Sequence, residues 1–328
     1  MVELVLFAIG LIILVKGADF LVDGASSLAA RFKIAPIVIG LTIVAFGTSA
    51  PELVVSLTSA LKDNTDIALG NVIGSNIFNI LFILGISAMI YPLVVAKNTV
   101  WKEIPFSFLA AILVVILGLQ LPINTGNFNL LAISSLEVEG VITRSGGFVL
   151  LSFFIIFLYY SFGIAKVTGA SQVSIKKLTL PKIILLIVLG LLGLTFGSRI
   201  AVDNAVTLAR LLEISDTLIG LTLVAVGTSL PELFTTIAAV RKKSTDIAIG
   251  NIVGSNIFNI FLILGVTALV KDIPIKGIQI IDILVLWFST LILFASLFVW
   301  KRHRISKIEG FIMLLCYVAY TVFLIIRG

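Results

Sequence analysis

Soft-metal chemistry is nearly missing from this chain, which has one cysteine, Cys316, and one histidine, His303, in 328 residues. A single cysteine excludes an internal disulfide, and a lone histidine in a basic loop excludes a Cys/His metal cage. Charge is scarce too: Asp, Glu, Lys and Arg together make up 12% of the residues, about half of what a soluble domain carries. The tracts GNVIG (70–74) and GNIVG (250–254) lack the Lys-Ser/Thr that a nucleotide loop requires. No nucleophile with an adjacent base lies at membrane depth, which argues against an intramembrane enzyme. No cofactor is implied.

What is present instead is apolar sequence. With 59% hydrophobic residues and a mean hydropathy of +1.22, the chain lies outside the range of soluble globular proteins and reads as an all-α, polytopic protein of the lipid bilayer. Runs of about 20 apolar residues, the length that crosses a ~30 Å hydrocarbon core, predict ten spans. They are 3–29, 36–61, 67–92, 102–121 and 147–165, then 182–205, 217–240, 247–270, 279–300 and 309–326. The first has no basic residue before it and no small-residue cleavage site after it, so it reads as a retained helix and not a signal peptide. With the N-terminus outside, fifteen of the 23 Lys and Arg residues fall in inner loops. That bias predicts a multi-pass cell-membrane protein with both termini extracytoplasmic. The net charge of +6 is then mostly topology, and it calls for no nucleic acid and no obligatory protein partner.

The segment 39–88 returns at 219–268 with 30 of 50 positions identical. The chain therefore divides into a first five-span copy (1–165), a short basic cytoplasmic linker (166–181) and a second copy (182–328). An odd number of spans forces the second copy into the bilayer upside down. Inverted-topology repeats are the architecture of many secondary transporters, whose binding site lies near the midplane where interrupted helices of the two copies meet. Residues 122–146 form the longest connection and read as an outer loop or cap.

Within each copy the polar residues are the repeated ones. Pro51 and Pro231 lack an amide hydrogen and clash with the carbonyl four residues back, so each breaks its helix and releases the carbonyl of Gly47 or Gly227. Such backbone is tolerated at this depth only where it is buried in protein or lines a cavity. Ala45, Thr48, Ser49, Glu52 and Ser56 share one helical face, as do Ala225, Thr228, Ser229 and Glu232. In the next span Asn71, Ser75 and Asn79 recur every four residues, and Asn251, Ser255 and Asn259 repeat them. Gly70 and Gly74, with Gly250 and Gly254, would let another helix approach closely.

Carboxylates, hydroxyls, up to four amides and freed carbonyls make an all-oxygen site. Hard cations choose such sites; Ca²⁺ takes six to eight oxygens at ~2.3–2.6 Å, and Na⁺ accepts the same ligands. Two glutamates facing each other in low dielectric repel, and bound cations remove the problem.

The motifs GTSAPEL and GTSLPEL, followed by GNVIGSN and GNIVGSN, resemble the α-repeats of the sodium/calcium exchanger family, prokaryotic type, within the cation/Ca²⁺ antiporter superfamily. The resemblance implies that Glu52 and Glu232 clamp Ca²⁺ with the backbone carbonyls of Thr48 and Thr228. It implies one Na⁺ site drawing on Ala45, Thr48, Glu52, Ser75 and Ser229, and another on Ser49, Ala225, Thr228, Glu232 and Ser255. Asn79 and Asn259 would complete the middle, and the first span and its counterpart would slide against a rigid core. It further implies three Na⁺ exchanged for one Ca²⁺. Some members of the family, including potassium-dependent ones, carry Asp where this chain has Asn259, which argues against an obligatory K⁺ co-substrate. Proton-coupled relatives carry an acidic residue near Val72–Ser75 and Ile252–Ser255; this chain has none. The alternatives are a Ca²⁺/H⁺ antiporter using the same glutamates and, further off, a cation channel.

Other charges read more simply. Lys16 with Asp19 and Asp23, and Arg199 with Asp203, read as local ion pairs or as side chains snorkelling near an interface ahead of lining an ion entrance, and Asp66 and Asp246 as helix caps.

Overall fold

In the computed structural model, which describes residues 2–119, 140–165, 178–212, 225–299 and 302–327, eight helices are long and apolar enough to cross a bilayer. They are α1 (Val2–Phe32), α4 (Thr65–Ile90), α5 (Lys97–Gly118), α6 (Arg144–Ala165), α7 (Leu180–Leu211), α10 (Thr245–Val270), α11 (Gly277–Val299) and α12 (Lys307–Arg327). A ninth span is the pair α2 (Pro36–Thr48) and α3 (Ala50–Leu61), bent by 45°. Nine of the ten expected spans are thereby covered. The remaining one, 217–240, starts outside the described residues and continues as the short α8 (Ala225–Gly227) and α9 (Leu230–Arg241).

Polar repeats sit at the centre and apolar helices around them. The apolar windows of α10 and α4 are 83% and 72% buried, against 17% in α12 and 28% in α7. The outer helices turn Ile155, Phe162, Phe196 and Ile326 outward, where hydrocarbon is the matching solvent.

Helices α1 and α7 lie against each other along their length. A Cβ on Gly10 would stand 2.7 Å from the Ala201 amide nitrogen, one on Gly17 2.8 Å from that of Leu194, and one on Gly190 2.6 Å from that of Leu21. Only hydrogen at these positions lets the two backbones touch, the usual basis of helix pairing in lipid. As numbers rise along α1 the partners on α7 fall, so the pair is antiparallel.

Short strands tie the copies together. β1 (Leu93–Val94) pairs antiparallel with β4 (Arg304–Ile305), and β2 (Gly140–Ile142) with β3 (Ile273–Ile275). Tight turns with positive φ at Asp63 (60°) and Lys243 (58°), 180 residues apart, carry α3 into α4 and α9 into α10.

Two sequence expectations change here. Asp66 and Asp246 are not caps: Asn64 and Ser244 hold the cap positions, and the aspartates lie in the first helical turn, where a negative charge suits the helix dipole. Asp66 also pairs with Lys276 at 2.5 Å. Lys16 has no partner among the described residues; Lys242, at the end of α9, reaches Asp23 at 2.7 Å and Asp19 at 3.3 Å instead. Arg199 and Asp203 do pair locally, at 3.9 Å and largely exposed. Close approach at the glycine pair is seen in the second copy, where Gly250 and Gly254 meet Ile37, Leu41 and Ala45 of α2. Around Gly70 and Gly74 nothing lies within 4 Å among the described residues, and the equivalent stretch of chain, 217–225, falls mostly outside them.

Candidate functional site

Each proline does what its chemistry dictates. Ahead of Pro51 the chain leaves the helix at Ser49 (φ −83°, ψ 5°), and ahead of Pro231 it does so at Ser229 (φ −90°, ψ 6°). Each glutamate then falls in the first turn of the helix that follows. Glu52 and Glu232 are fully buried.

The carboxylates are held by hydroxyls of the opposite copy. Ser229 donates to Glu52 Oε1 at 3.1 Å, and Ser49 donates to Glu232 Oε1 at 3.0 Å. Ser255, from the same copy as Glu232, adds a second bond to Oε1 at 3.2 Å. The other oxygen of each glutamate, Oε2, has no partner among the described residues, and neither has Ser75 Oγ, Asn79 Oδ1 or Asn259 Oδ1. Buried polar atoms are nearly always paired, and an orphan costs about 1–3 kcal/mol. Five orphaned oxygens on these two repeated motifs form an acceptor-rich set that a cation would satisfy.

The remaining amides divide by role. Asn71 donates to the Glu52 carbonyl at 3.2 Å and to Ser56 at 2.9 Å, while its Oδ1 accepts from Thr228 at 3.2 Å. Asn251 does the same with the Glu232 carbonyl (3.4 Å), Thr236 (3.0 Å) and Thr48 (3.1 Å). Both ends of these side chains are used by protein, so of the four amides counted from sequence two are scaffold. The carbonyl freed by Pro231 is also not open: Gly227 accepts from Ser198 of α7 at 2.7 Å. Its counterpart 180 residues earlier is Ala18, which has no hydroxyl to give Gly47.

The structure brings Thr48, Ser49, Glu232 and Ser255 into one bonded cluster and Glu52 and Ser229 into a second, to which Asn71 joins Thr228. Ser75, Asn79 and Asn259 are buried on α4 and α10. Ala45 is buried, and a Cβ on Gly254 would come within 2.7 Å of its methyl. Ala225 opens α8; the placement of its side chain is outside what the structure describes. Sequence reasoning passed over Asn76 and Asn256, which lie off the four-residue stripe yet bond across the copies. Their identity at a 180-residue spacing was the available signal.

A multi-pass helical fold around two buried glutamates, held by hydroxyls and amides, is the layout of a membrane transporter more readily than of an enzyme. The family model described as sodium/calcium exchanger protein matches residues 2–163 and 182–326, and the chain belongs to that family. It is 38% identical to inner membrane protein YrbG of Escherichia coli, over 81% of this chain and 79% of that one. It is 32% identical to sodium/calcium exchanger MaX1 of Methanosarcina acetivorans over 98% of both. Among solved structures, the sodium-calcium exchanger NCX_Mj soaked with Na⁺ and Sr²⁺ superimposes with a TM-score of 0.80 at 31% identity, over 98% of each chain.

Proposed function

We propose that the chain is a secondary antiporter that exchanges Na⁺ for Ca²⁺ by alternating access, three Na⁺ for one Ca²⁺. The observation that carries this reading is the set of buried oxygens on Glu52, Glu232, Ser75, Asn79 and Asn259 that have no partner among the described residues. Glu52 and Glu232 would grip Ca²⁺ with the Thr48 and Thr228 carbonyls. Na⁺ would take either the set Ala45, Thr48, Glu52, Ser75 and Ser229 or the set Ser49, Ala225, Thr228, Glu232 and Ser255. The layout is ten spans in two inverted repeats (1–165 and 182–328) joined by a linker at 166–181, with both termini extracytoplasmic.

The test is ⁴⁵Ca²⁺ uptake into proteoliposomes under separate Na⁺, K⁺ and pH gradients. Internal Na⁺ alone should drive saturable uptake, with K⁺ and pH gradients alone giving none. Uptake driven by pH alone would point to Ca²⁺/H⁺ exchange, and non-saturable flux without any gradient of a second ion to a channel.

An asymmetry between the copies supports alternating access. Lys242 ties α9 to α1 through Asp19 and Asp23, while the identical Lys62 of the first copy has no partner among the described residues, and α7 does not pack against α3 as α1 does against α9. With the termini outside, the tie lies at the cytoplasmic end, and this arrangement is the one closed toward the cytoplasm. Opening to that side requires α1 to leave α9. In a Cys316→Ala background, bridging Asp23→Cys to Lys242→Cys with a reducible cross-linker should stop exchange, and reduction should restore it. A bridged protein exchanging at the unbridged rate would show that α1 stays on α9 throughout the cycle.

A further inference from the structure

Four buried asparagines form a network across the two copies in which each copy orients the other. Asn259 Nδ2 donates to Asn76 Oδ1 at 2.9 Å, and Asn79 Nδ2 donates to Asn256 Oδ1 at 3.0 Å. Asn76 is itself anchored, donating to the Asn256 backbone carbonyl at 3.3 Å. All four side chains are at most 2% exposed.

A primary amide has a donor end and an acceptor end of almost the same shape. Which end faces a binding site is therefore decided by whatever holds the other end. Here the Oδ1 atoms of Asn76 and Asn256 occupy the amide hydrogens of Asn259 and Asn79, which leaves Oδ1 of Asn259 and Asn79 as the free ends. Among the described residues those are the two buried amide oxygens without a partner. They lie one helical turn beyond Ser75 and Ser255 on the faces of α4 and α10 that carry the site, and Ser255 already bonds Glu232.

Resting on the reading that this site takes Ca²⁺, we infer that Asn76 and Asn256 are positioning residues that hold the Asn259 and Asn79 amides oxygen-inward. Without them either amide turns over, and a donor N–H replaces an acceptor oxygen in front of a cation. Each copy thus sets the polarity of a ligand that belongs to the other.

The test is equilibrium ⁴⁵Ca²⁺ binding to the purified full-length protein, with thermal melting as the check on folding. Asn76→Leu removes the acceptor and should weaken Ca²⁺ binding about tenfold, as one hydrogen-bonded group facing a charge warrants. Because Asn76 acts through Asn259, the double variant Asn76→Leu/Asn259→Leu should bind no more weakly than Asn259→Leu alone. Combined with Asn79→Leu, whose amide it does not hold, Asn76→Leu should add its full loss. Asn256→Leu with Asn79→Leu and with Asn259→Leu repeats the cycle in mirror image should the first set not fold. Wild-type protein that binds no Ca²⁺ would defeat the reading of the site itself. Binding by wild type together with full-strength binding by Asn76→Leu and Asn256→Leu, or with losses additive toward both asparagines, would overturn the positioning role alone.

Discussion

Replacing either glutamate by glutamine should abolish Ca²⁺ exchange, by at least about a hundredfold, while leaving the fold intact. In both carboxylates Oε1 is the oxygen that accepts serine hydroxyls and Oε2 the one without a partner. In Glu52→Gln or Glu232→Gln the amide oxygen can keep the serine bond, so packing survives. The amide nitrogen then takes the place of the free oxygen, and a donor faces the cation. The formal charge of the pair falls from −2 to −1. A unit charge ~2.4 Å from Ca²⁺ contributes well over 3 kcal/mol even at an effective dielectric of ~20, and a hundredfold loss needs only ~2.8 kcal/mol. Without ions each variant should melt no lower than wild type, since a buried charge has gone. Added Ca²⁺ should raise the melting temperature of wild type only, as a ligand that binds the folded state must. Wild-type flux in either well-folded variant would remove the glutamates from the site.

How far this architecture could be read from sequence depends on where each contact is made. Glu52, Ser49 and Thr48 were legible because a repeat, a proline and a helical face all point to the same residues, and the two copies bend at Ser49 and Ser229 with almost the same angles. Periodicity tells which residues share a face; it does not tell what the face meets. That is why Asn71 and Asn251 looked like ligands when their amides are spent on Thr228, Thr48 and the backbone of the glutamates. It is also why Asp19 and Asp23 were given to Lys16, a neighbour on their own helix, instead of to Lys242, which arrives from the other copy more than 200 residues later. Ser198 has the same character: its bond to Gly227 links elements that only packing brings together. Most expected spans end within three residues of the described helices, the main exception being 182–205, whose helix runs on to Leu211, because twenty apolar residues in a bilayer have no alternative to helix.

The charge on the site sets the second large effect, which is on voltage. Glu52 and Glu232 supply −2, the other expected ligands are neutral, and the described bonds to these carboxylates come from hydroxyls. On the proposed three-for-one exchange, Ca²⁺ would leave the loaded site neutral and three Na⁺ would leave it at +1, so one turnover would move one positive charge with the Na⁺. Across 100 mV that charge is worth ~2.3 kcal/mol, more than one and a half powers of ten in the attainable Ca²⁺ ratio at ~1.4 kcal/mol per tenfold. In proteoliposomes loaded with Na⁺ and diluted into Na⁺-free buffer with ⁴⁵Ca²⁺, three charges should then leave for every two that enter. The interior turns negative and uptake should slow itself. Valinomycin with equal K⁺ on both sides should collapse that potential and speed uptake, and a K⁺ gradient directed inward, which makes the interior positive, should speed it further. Uptake indifferent to all three conditions would mean electroneutral exchange, and would replace three-for-one by two Na⁺ per Ca²⁺ or by protons.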